Sequence, residues 1–166
     1  MPDNCGNWFP LPVDLEPEHA YAALGRLAQS HVGARLFTLM AFDTETGEGR
    51  RFHSNMPEIY PVSGRKPIPE GPWHEIVIIN RQVFVANTIE DIAKVFPDHG
   101  VVESLGCGAV INIPVWNNGT LLGTINCLDK AGSYNPALVK AAVDLRLPAL
   151  SCFLLERTNS TNGDPA

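Results

Sequence analysis

The sequence predicts an α+β domain in which helices from the two ends of the chain cover one face of an antiparallel sheet. Its 166 residues, 45% of them hydrophobic, suffice for one hydrophobic core. Strand-like segments that are neighbours in the chain are joined by tight turns, which makes those strands antiparallel. Segments with helical periodicity lie near both ends, and this combination is typical of a layered α+β fold.

The charge and hydropathy of the chain narrow its possible partners. The formal net charge is −6, whereas nucleic-acid surfaces and polybasic membrane anchors need clustered lysine and arginine. No apolar run approaches the roughly 18 residues that span a bilayer. The N-terminus lacks the basic start and apolar stretch of a signal peptide. We therefore expect a cytoplasmic protein that binds neither nucleic acid nor a membrane.

The four cysteines do not suggest a metal site. Cys5, Cys107, Cys127 and Cys152 include no C-x-x-C pair, and no His-x-x-x-His spacing accompanies them. In a reducing compartment they stay free thiols. We expect no metal and no cofactor.

The chain divides into three parts. Residues 1–15 are rich in proline, asparagine and aspartate and are predicted to form an irregular arm. Residues 16–157 are predicted to form the domain. Residues 158–166 are polar and are predicted to be a disordered tail.

The first helix is predicted to begin near Pro17, because proline suits the first turn of a helix and Glu16 and Glu18 complement the helix dipole. Apolar residues then recur at the i, i+3, i+4 spacing of one buried helix face. They are Ala20, Ala23, Leu24, Leu27 and Ala28.

A strand is predicted at residues 36–43, because LFTLMAFD is rich in aromatic and β-branched side chains. Gly47 and Gly49 supply the turn that follows, and residues 50–55 return as the second strand of a hairpin. Residues 55–72 contain five prolines, which exclude a regular element. This stretch is predicted to be either a long ordered loop or a lid, and long loops in compact domains are often functional.

Short elements occupy the middle of the chain. A short helix is predicted at residues 73–79 and a strand at residues 82–87. Thr88 is the expected cap of a helix over residues 89–96, whose first turn carries two acidic residues. The sequence PDHG at residues 97–100 breaks that helix.

The second hairpin is the clearest local prediction. Residues 108–116 and 121–129 are two apolar runs, and Asn118 and Gly119 stand between them. Asn-Gly between apolar runs is the strongest short-range signal for a hairpin.

The last element is predicted to be a long helix over residues 136–156. Pro148 interrupts it, because proline removes one backbone hydrogen bond from a helix. We therefore expect a kink or a break near Leu147.

The motifs in this order resemble those of a GAF domain. They are NTIEDI at residues 87–92, IPV at residues 113–115, the Asn-Gly turn, and GTIN at residues 123–126. The resemblance covers residues 20–155. It implies a six-stranded antiparallel sheet with terminal helices on one face and a small-molecule pocket on the other, roofed by the central loops and short helices. Members of the family bind cyclic nucleotides, haem, bilins, amino acids or inorganic anions, and others serve as dimerisation modules.

One enzymatic branch of the family, the free methionine-R-sulfoxide reductases, uses three cysteines around this pocket. The matching stretches of this chain, residues 59–73 and 99–103, contain no cysteine. Cys107 lies closer to Pro114 than the nucleophile of that branch does. We therefore do not expect this reductase activity.

Three residues are candidates for catalysis. Cys107 stands between two glycines at the entry to a buried strand, where it is either a reactive thiol or a small buried hydrophobic residue. Asp98 and His99 lie in a break between elements that the resemblance places on the pocket roof. They form either an acid–base pair or a surface turn that Asp98 caps.

Ligand-binding candidates lie in the proline-rich loop and beside it. Tyr60 and Arg65 belong to the loop, and Arg65 either binds an anion or is a solvated charge. Trp73 either stacks on a planar ligand or fills the core beneath the loop. Glu103 and Ser104 either bind a ligand or cap a turn. Together with Cys107 these residues form the predicted ligand site.

The functional prediction is a stand-alone cytoplasmic GAF-like domain that binds a small organic ligand as a sensor or carrier in signalling. A homodimer is expected through apolar residues of the last helix. Two alternatives stay open. The first is a small cofactor-free enzyme that acts on a carbonyl or amide metabolite through Cys107 or through Asp98 and His99. The second is a dimerisation or interaction module.

Overall fold

A computed structural model describes residues 16–162, without the side chains of residues 161 and 162. The predicted arm, residues 1–15, lies outside the described residues. The elements are α1 (Pro17–Val32), β1 (Leu36–Asp43), β2 (Glu48–Ser54), β3 (Lys66–Pro67), α2 (Pro72–His74), β4 (Phe84–Ala86), α3 (Ile89–Ala93), α4 (His99–Ser104), β5 (Ala109–Asn117), β6 (Thr120–Asp129), α5 (Pro136–Val143) and α6 (Arg146–Asn162). No helix within this part of the chain is long and apolar enough to cross a membrane.

The six strands form one sheet in the order β3-β2-β1-β6-β5-β4, and every pairing is antiparallel. The predicted α+β class and six-stranded antiparallel sheet are thereby confirmed. Both predicted hairpins are present, β1 with β2 and β5 with β6. At the tip of the second hairpin Asn118 and Gly119 have φ values of 47° and 78°. A two-residue turn with positive φ at both positions matches the twist of the strands it joins.

Helices α1, α5 and α6 pack on one face of the sheet. The buried face of α1 consists of Tyr21, Leu24, Gly25, Ala28 and Val32, so it is rotated from the predicted face. Leu27, which was predicted to be buried, is 37% exposed. The rotation places the large Tyr21 ring in the core, and burial of its aromatic area outweighs that of the smaller alanines.

The other face is covered by a roof of short elements. The roof consists of the proline-rich loop, α2 with its π-helical continuation Glu75–Ile79, α3 and α4. Helix α3 begins where it was predicted, and the Thr88 hydroxyl accepts a hydrogen bond from the backbone N–H of Asp91.

Two short elements were not predicted. Helix α4 begins at His99, inside the predicted PDHG break. It forms there because its buried Val102 packs against the roof core, although glycine and proline disfavour a helix. Strand β3 lies inside the proline-rich loop and pairs only with β2. Pro67 is tolerated in it because an edge strand leaves one side of its backbone unpaired.

The last helix breaks earlier than predicted and runs further. Helix α5 ends at Val143 and α6 begins at Arg146, so Pro148 lies in the first turn of α6 rather than at the break. A first-turn N–H has no partner within the helix, and proline therefore costs little there. Helix α6 continues to Asn162, through five residues that were predicted to belong to a disordered tail.

Candidate functional site

A cavity of about 250 Å³ lies between the sheet and its roof. The central strands β1, β5 and β6 form its floor. The proline-rich loop, α3 and the start of α4 supply the opposite side. The cavity is therefore on the face away from the terminal helices, where the resemblance to GAF domains implied a pocket.

The floor carries a hydrogen-bonded row of buried polar side chains. The Trp73 indole N–H donates to Asn112 Oδ1 over 3.0 Å, and the Asn112 amide donates to Asn126 Oδ1 over 2.7 Å. The Asn126 amide donates in turn to Thr38 Oγ1 over 3.1 Å. Thr38, Asn126 and Asn112 are direct neighbours across β1, β6 and β5, so the strand register holds the row straight.

Thr124 extends the polar floor. It lies two residues before Asn126 on β6 and therefore faces the same side of the sheet. Its side chain is fully buried and lines the cavity. Its hydroxyl has no hydrogen-bond partner among the described residues. A buried hydroxyl without a partner is unfavourable, and it calls for a functional explanation.

A β-bulge directs Arg51 into the cavity. His53 pairs with Leu39 and Arg51 pairs with Met40, so Phe52 is an extra residue on β2. The Phe52 and His53 rings both contact Tyr21 on the helix side, with centroids 4.9 and 5.9 Å from the tyrosine ring. Strict alternation would point His53 and Arg51 to the same side, and the bulge separates them.

Arg51 and Tyr60 hold the proline-rich loop over the cavity. The guanidinium carbon of Arg51 lies 4.0 Å from the centre of the Tyr60 ring, and its Nη1 donates to the carbonyl of Pro61 over 2.9 Å. Ser63 accepts a hydrogen bond from the backbone N–H of Arg51 over 3.1 Å. The Tyr60 hydroxyl donates to the Asp98 carboxylate. Four contacts therefore join β2, the loop and the start of α4.

Burial shifts the pKa values of both Tyr60 and Arg51. Burial, reinforced by the hydrogen bond to Asp98, raises the pKa of Tyr60 well above its usual value, so the phenol stays a donor. Burial lowers the pKa of Arg51, yet a guanidinium stays protonated in proteins. The Nε atom of Arg51 is buried and has no hydrogen-bond partner within the described chain.

Of the residues predicted from the sequence, Tyr60, Trp73 and Asp98 line the cavity. Trp73 fills core space, and its N–H also anchors the polar row. The rest of the predicted site lies elsewhere. Arg65 faces Asp43 over 3.5 Å at a separate depression.

The predicted residues that lie within α4 are not part of the cavity lining. His99 Nδ1 lies 3.1 Å from the carbonyl of Phe96, and the Ser104 hydroxyl donates to the carbonyl of Val101 over 2.7 Å. Glu103 and Ser104 are exposed. Because a short helix presents only one face to the cavity, Val102 occupies the inward position.

Cys107 also lies outside the cavity lining. Its side chain is buried in the roof core, and burial raises the pKa of its thiol. A reactive cysteine needs the opposite shift. Cys127 and Cys152 are buried in the core on the helix side, where burial raises the pKa values of their thiols to about 12 and about 11.

The floor residues were missed by the sequence interpretation, although a signal exists. Asn112, Thr124 and Asn126 interrupt two otherwise apolar strands at alternate positions, which places them on one face. Polar residues that share one face of a buried strand indicate either a polar network or a binding site. Arg51 offers no such signal, because the bulge that directs it is not visible in the sequence.

The comparisons with known proteins concern the fold. No family model and no curated protein matches this sequence. Among solved structures, the GAF domain/HD domain protein from Geobacter sulfurreducens matches with a TM-score of 0.65 at 12% identity, over 90% of this chain and 97% of its own.

Two further solved structures are similar. A domain of a sensor histidine kinase from Sinorhizobium meliloti matches with a TM-score of 0.60 at 17% identity, over 87% of this chain and 94% of its own. The GAF domain of a phosphoenolpyruvate-protein phosphotransferase from Coxiella burnetii matches with a TM-score of 0.62 at 17% identity, over 89% and 85%. These matches span most of the described chain, and the protein has the GAF-domain fold.

Proposed function

We propose that this chain is a sensory GAF-type domain that binds one small organic molecule in the cavity between the sheet and its roof. The observation that carries the proposal is the buried polar floor. Its row of side chains is hydrogen-bonded, whereas the Thr124 hydroxyl beside the row has no partner among the described residues. A binding site needs a few fixed polar groups in an apolar cavity. The sensory role is supported by the similar fold of a sensor histidine kinase domain.

The cavity volume limits the size of the ligand. A dry cavity of about 150 Å³ binds benzene, and the cavity here measures about 250 Å³. A single ring with a polar substituent fits this volume, whereas haem or a bilin needs far more room. Phe42, Ile92 and Leu128 are among the apolar residues that surround such a ring.

The two alternatives from the sequence have less support. The enzyme hypothesis depends on a reactive Cys107 or on an acid–base pair of Asp98 and His99 in one pocket. Cys107 and His99 do not line the cavity. The interaction-module hypothesis is favoured by a cavity filled by the protein's own side chains, and this cavity has open volume. The homodimer and the cytoplasmic location stay predictions, and light scattering at micromolar concentration tests the dimer.

Native mass spectrometry before and after denaturation tests the proposed function. A mass excess that disappears on denaturation identifies a noncovalent ligand. The purified protein is then screened by thermal shift against a library of one-ring compounds. We expect ligands that raise the melting temperature in a concentration-dependent way.

A matched pair of variants on α4 locates the binding. Val102→Phe adds a ring at a cavity-lining position that is 2% exposed, whereas Val101→Phe adds the same ring at a neighbouring position that is 40% exposed. We expect Val102→Phe to abolish the thermal shift and Val101→Phe to keep it. Equal ligand response in the two variants, or no ligand in either experiment, contradicts the proposal.

A further inference from the structure

We propose that the ligand is a compact organic carboxylate of one-ring size, and that Arg51 binds its carboxylate group. The inference rests on the proposed function, because it names the chemical class of the molecule that the cavity takes. Three independent features carry it: the balance of donors and acceptors in the cavity, the balance of charge, and the bulge that turns Arg51 inward.

The side-chain oxygens of the polar row and the carboxylate of Asp98 each already accept one hydrogen bond. Asn112 Oδ1 accepts from Trp73, Asn126 Oδ1 accepts from Asn112, and Thr38 Oγ1 accepts from Asn126. The Asp98 carboxylate accepts from the Tyr60 hydroxyl. A ligand that offers only donors therefore meets oxygens that already have partners.

The cavity has more hydrogen-bond donors than the protein's own acceptors satisfy. The Nε–H of Arg51 and the hydroxyl of Thr124 are buried and have no partner among the described residues. The amide nitrogens of Asn112 and Asn126 each carry two N–H groups, and the polar row uses one of each. A ligand rich in acceptors satisfies these groups, and a carboxylate has about four acceptor sites on two oxygens.

The charges favour an anion over a neutral carbonyl compound. Arg51 takes part in none of the ion pairs seen among residues 16–162, which include those of Arg50, His53, Arg65 and Lys94. The Asp98 carboxylate acts on Arg51 through its charge but forms no close ion pair with it, and it already accepts the hydrogen bond of Tyr60. A partly buried guanidinium without a close ion pair is unfavourable. Lys66 adds a second positive charge to the lining, against the single carboxylate of Asp98. Arginine pairs with carboxylates through parallel charge-assisted hydrogen bonds.

The register places these groups within reach of one small molecule. Arg51, Met40 and Thr124 are direct neighbours across β2, β1 and β6. Two strand spacings separate Arg51 from Thr124, about 10 Å between their backbones. The long arginine side chain shortens this gap, so the carboxylate of a one-ring acid fits between Arg51 and Thr124 and accepts hydrogen bonds from both. Phe96 and Val110 are among the apolar side chains that line the space for the ring.

The test compares head groups on a fixed ring. Benzoate, benzamide and benzylamine form one set of probes, and phenylacetate, phenylacetamide and 2-phenylethylamine form a second set with one more carbon. Isothermal titration calorimetry measures the dissociation constant of each probe for the unmodified protein. We expect the acid of at least one set to bind about tenfold or more tightly than its amide, and the amine to bind weakest.

Arg51→Met removes the proposed anchor, and Arg65→Met removes an arginine that faces Asp43 outside this cavity. We expect Arg51→Met to weaken the acid by about 10- to 100-fold and the amide by less than about threefold. Arg65→Met leaves both unchanged. Arg51→Lys keeps the charge and restores part of the acid affinity. The amide serves as the folding control, because its retained binding shows that the cavity is intact.

Failure of the inference differs from failure of the proposed function. If an amide or an amine binds as tightly as the acid and Val102→Phe abolishes that binding, the ligand class is wrong and the proposed function stands. If an acid binds and Arg51→Met and Arg65→Met weaken it equally, Arg51 is not its anchor. If none of the six probes binds, the carboxylate class is overturned, and the library screen decides the proposed function separately.

Discussion

The face of the sheet that packs against α1, α5 and α6 is apolar through its centre, whereas the opposite face of the same strands carries polar side chains. Phe37, Ile113 and Ile125 on the helix side are fully buried among hydrophobic neighbours. Asn112 and Asn126, each one residue away from these isoleucines, are buried on the other side and hydrogen-bonded to each other. The two faces therefore differ in chemistry although they share every strand.

The covering layers differ as well. Two long helices, α1 with 16 residues and α6 with 17, cover the apolar face. The polar face is covered by a proline-rich loop and by helices of three to six residues. Long helices bury a continuous stripe, whereas short elements leave irregular gaps. We infer that packing on the helix side supplies most of the free energy of folding. Packing on the roof side contributes less, because the cavity leaves part of that space unfilled.

The largest expected effect comes from a variant on the helix side. Phe153 is 1% exposed and its ring lies 5.3 Å from that of Phe52. Phe153→Ala is expected to lower the free energy of unfolding by about 3–5 kcal/mol, because it removes a buried ring and leaves a cavity. Urea denaturation measures the change. Leu154→Ala is the matched control, since Leu154 is 42% exposed and its loss is expected to cost less than about 1 kcal/mol. Similar losses in the two variants contradict the assignment of the main core to this side.

The sequence revealed the helix side more fully than the roof side, for physical reasons. Strand alternation and the Asn118-Gly119 turn are local signals, so the sequence alone predicts both hairpins. Helix α4 is too short to show a period, and it begins within the predicted break at residues 97–100. Its existence depends on the contact of Val102 with the roof core, which no local pattern reports.

The candidate site was predicted in part. Tyr60, Trp73 and Asp98 line the cavity because the loop and α4 bring them over the sheet. Arg51 was missed, since its direction depends on a one-residue bulge that only strand pairing shows. The glycines that flank Cys107 made it a candidate for catalysis. The structure buries it away from the cavity, because the strand that it precedes runs under the roof core.

A smaller effect of opposite sign is expected on the polar floor. Thr124→Val replaces a buried hydroxyl that has no partner among the described residues with a methyl group of similar size. We expect the unliganded variant to be more stable by about 1 kcal/mol, because an unsatisfied hydroxyl is removed from the interior. Binding of the ligand is expected to weaken by about three- to tenfold, since one hydrogen bond to it is lost.

Thermal denaturation without ligand and calorimetry with ligand measure the two effects of Thr124→Val separately. The control is Thr158→Val. Thr158 lies on α6, on the face of the sheet away from the cavity, and is exposed to solvent. If the hydroxyl serves binding at the expense of stability, Thr124→Val raises the stability of the unliganded protein and lowers its affinity for the ligand. A variant that is less stable and binds equally well shows instead that the hydroxyl serves the fold.

The smallest expected effect is a change of stability with pH that arises from His53, on the helix side only. His53 lies on the helix side, 8% exposed, and its Nδ1 is 3.3 Å from a carboxylate oxygen of Glu18. Burial lowers the pKa of His53 below its usual value, and the contact with Glu18 offsets part of that shift. The unfolded chain therefore binds a proton at higher pH than the folded protein does. Stability is fully present above about pH 6.5 and is lost as the pH falls toward the lowered pKa of the folded state.

His53→Asn removes this titration and keeps a polar group near Glu18. We expect the difference in unfolding free energy between the unmodified protein and His53→Asn to change below about pH 6.5, with a slope no steeper than about 1.4 kcal/mol per pH unit, the limit for one proton. Denaturant curves between pH 5 and 8 measure it. Because the bulge points His53 away from Arg51, the preference of the cavity for an acid over its amide is expected to be the same in both proteins. A shift of that preference in His53→Asn means that the bulge couples the two faces instead of separating them.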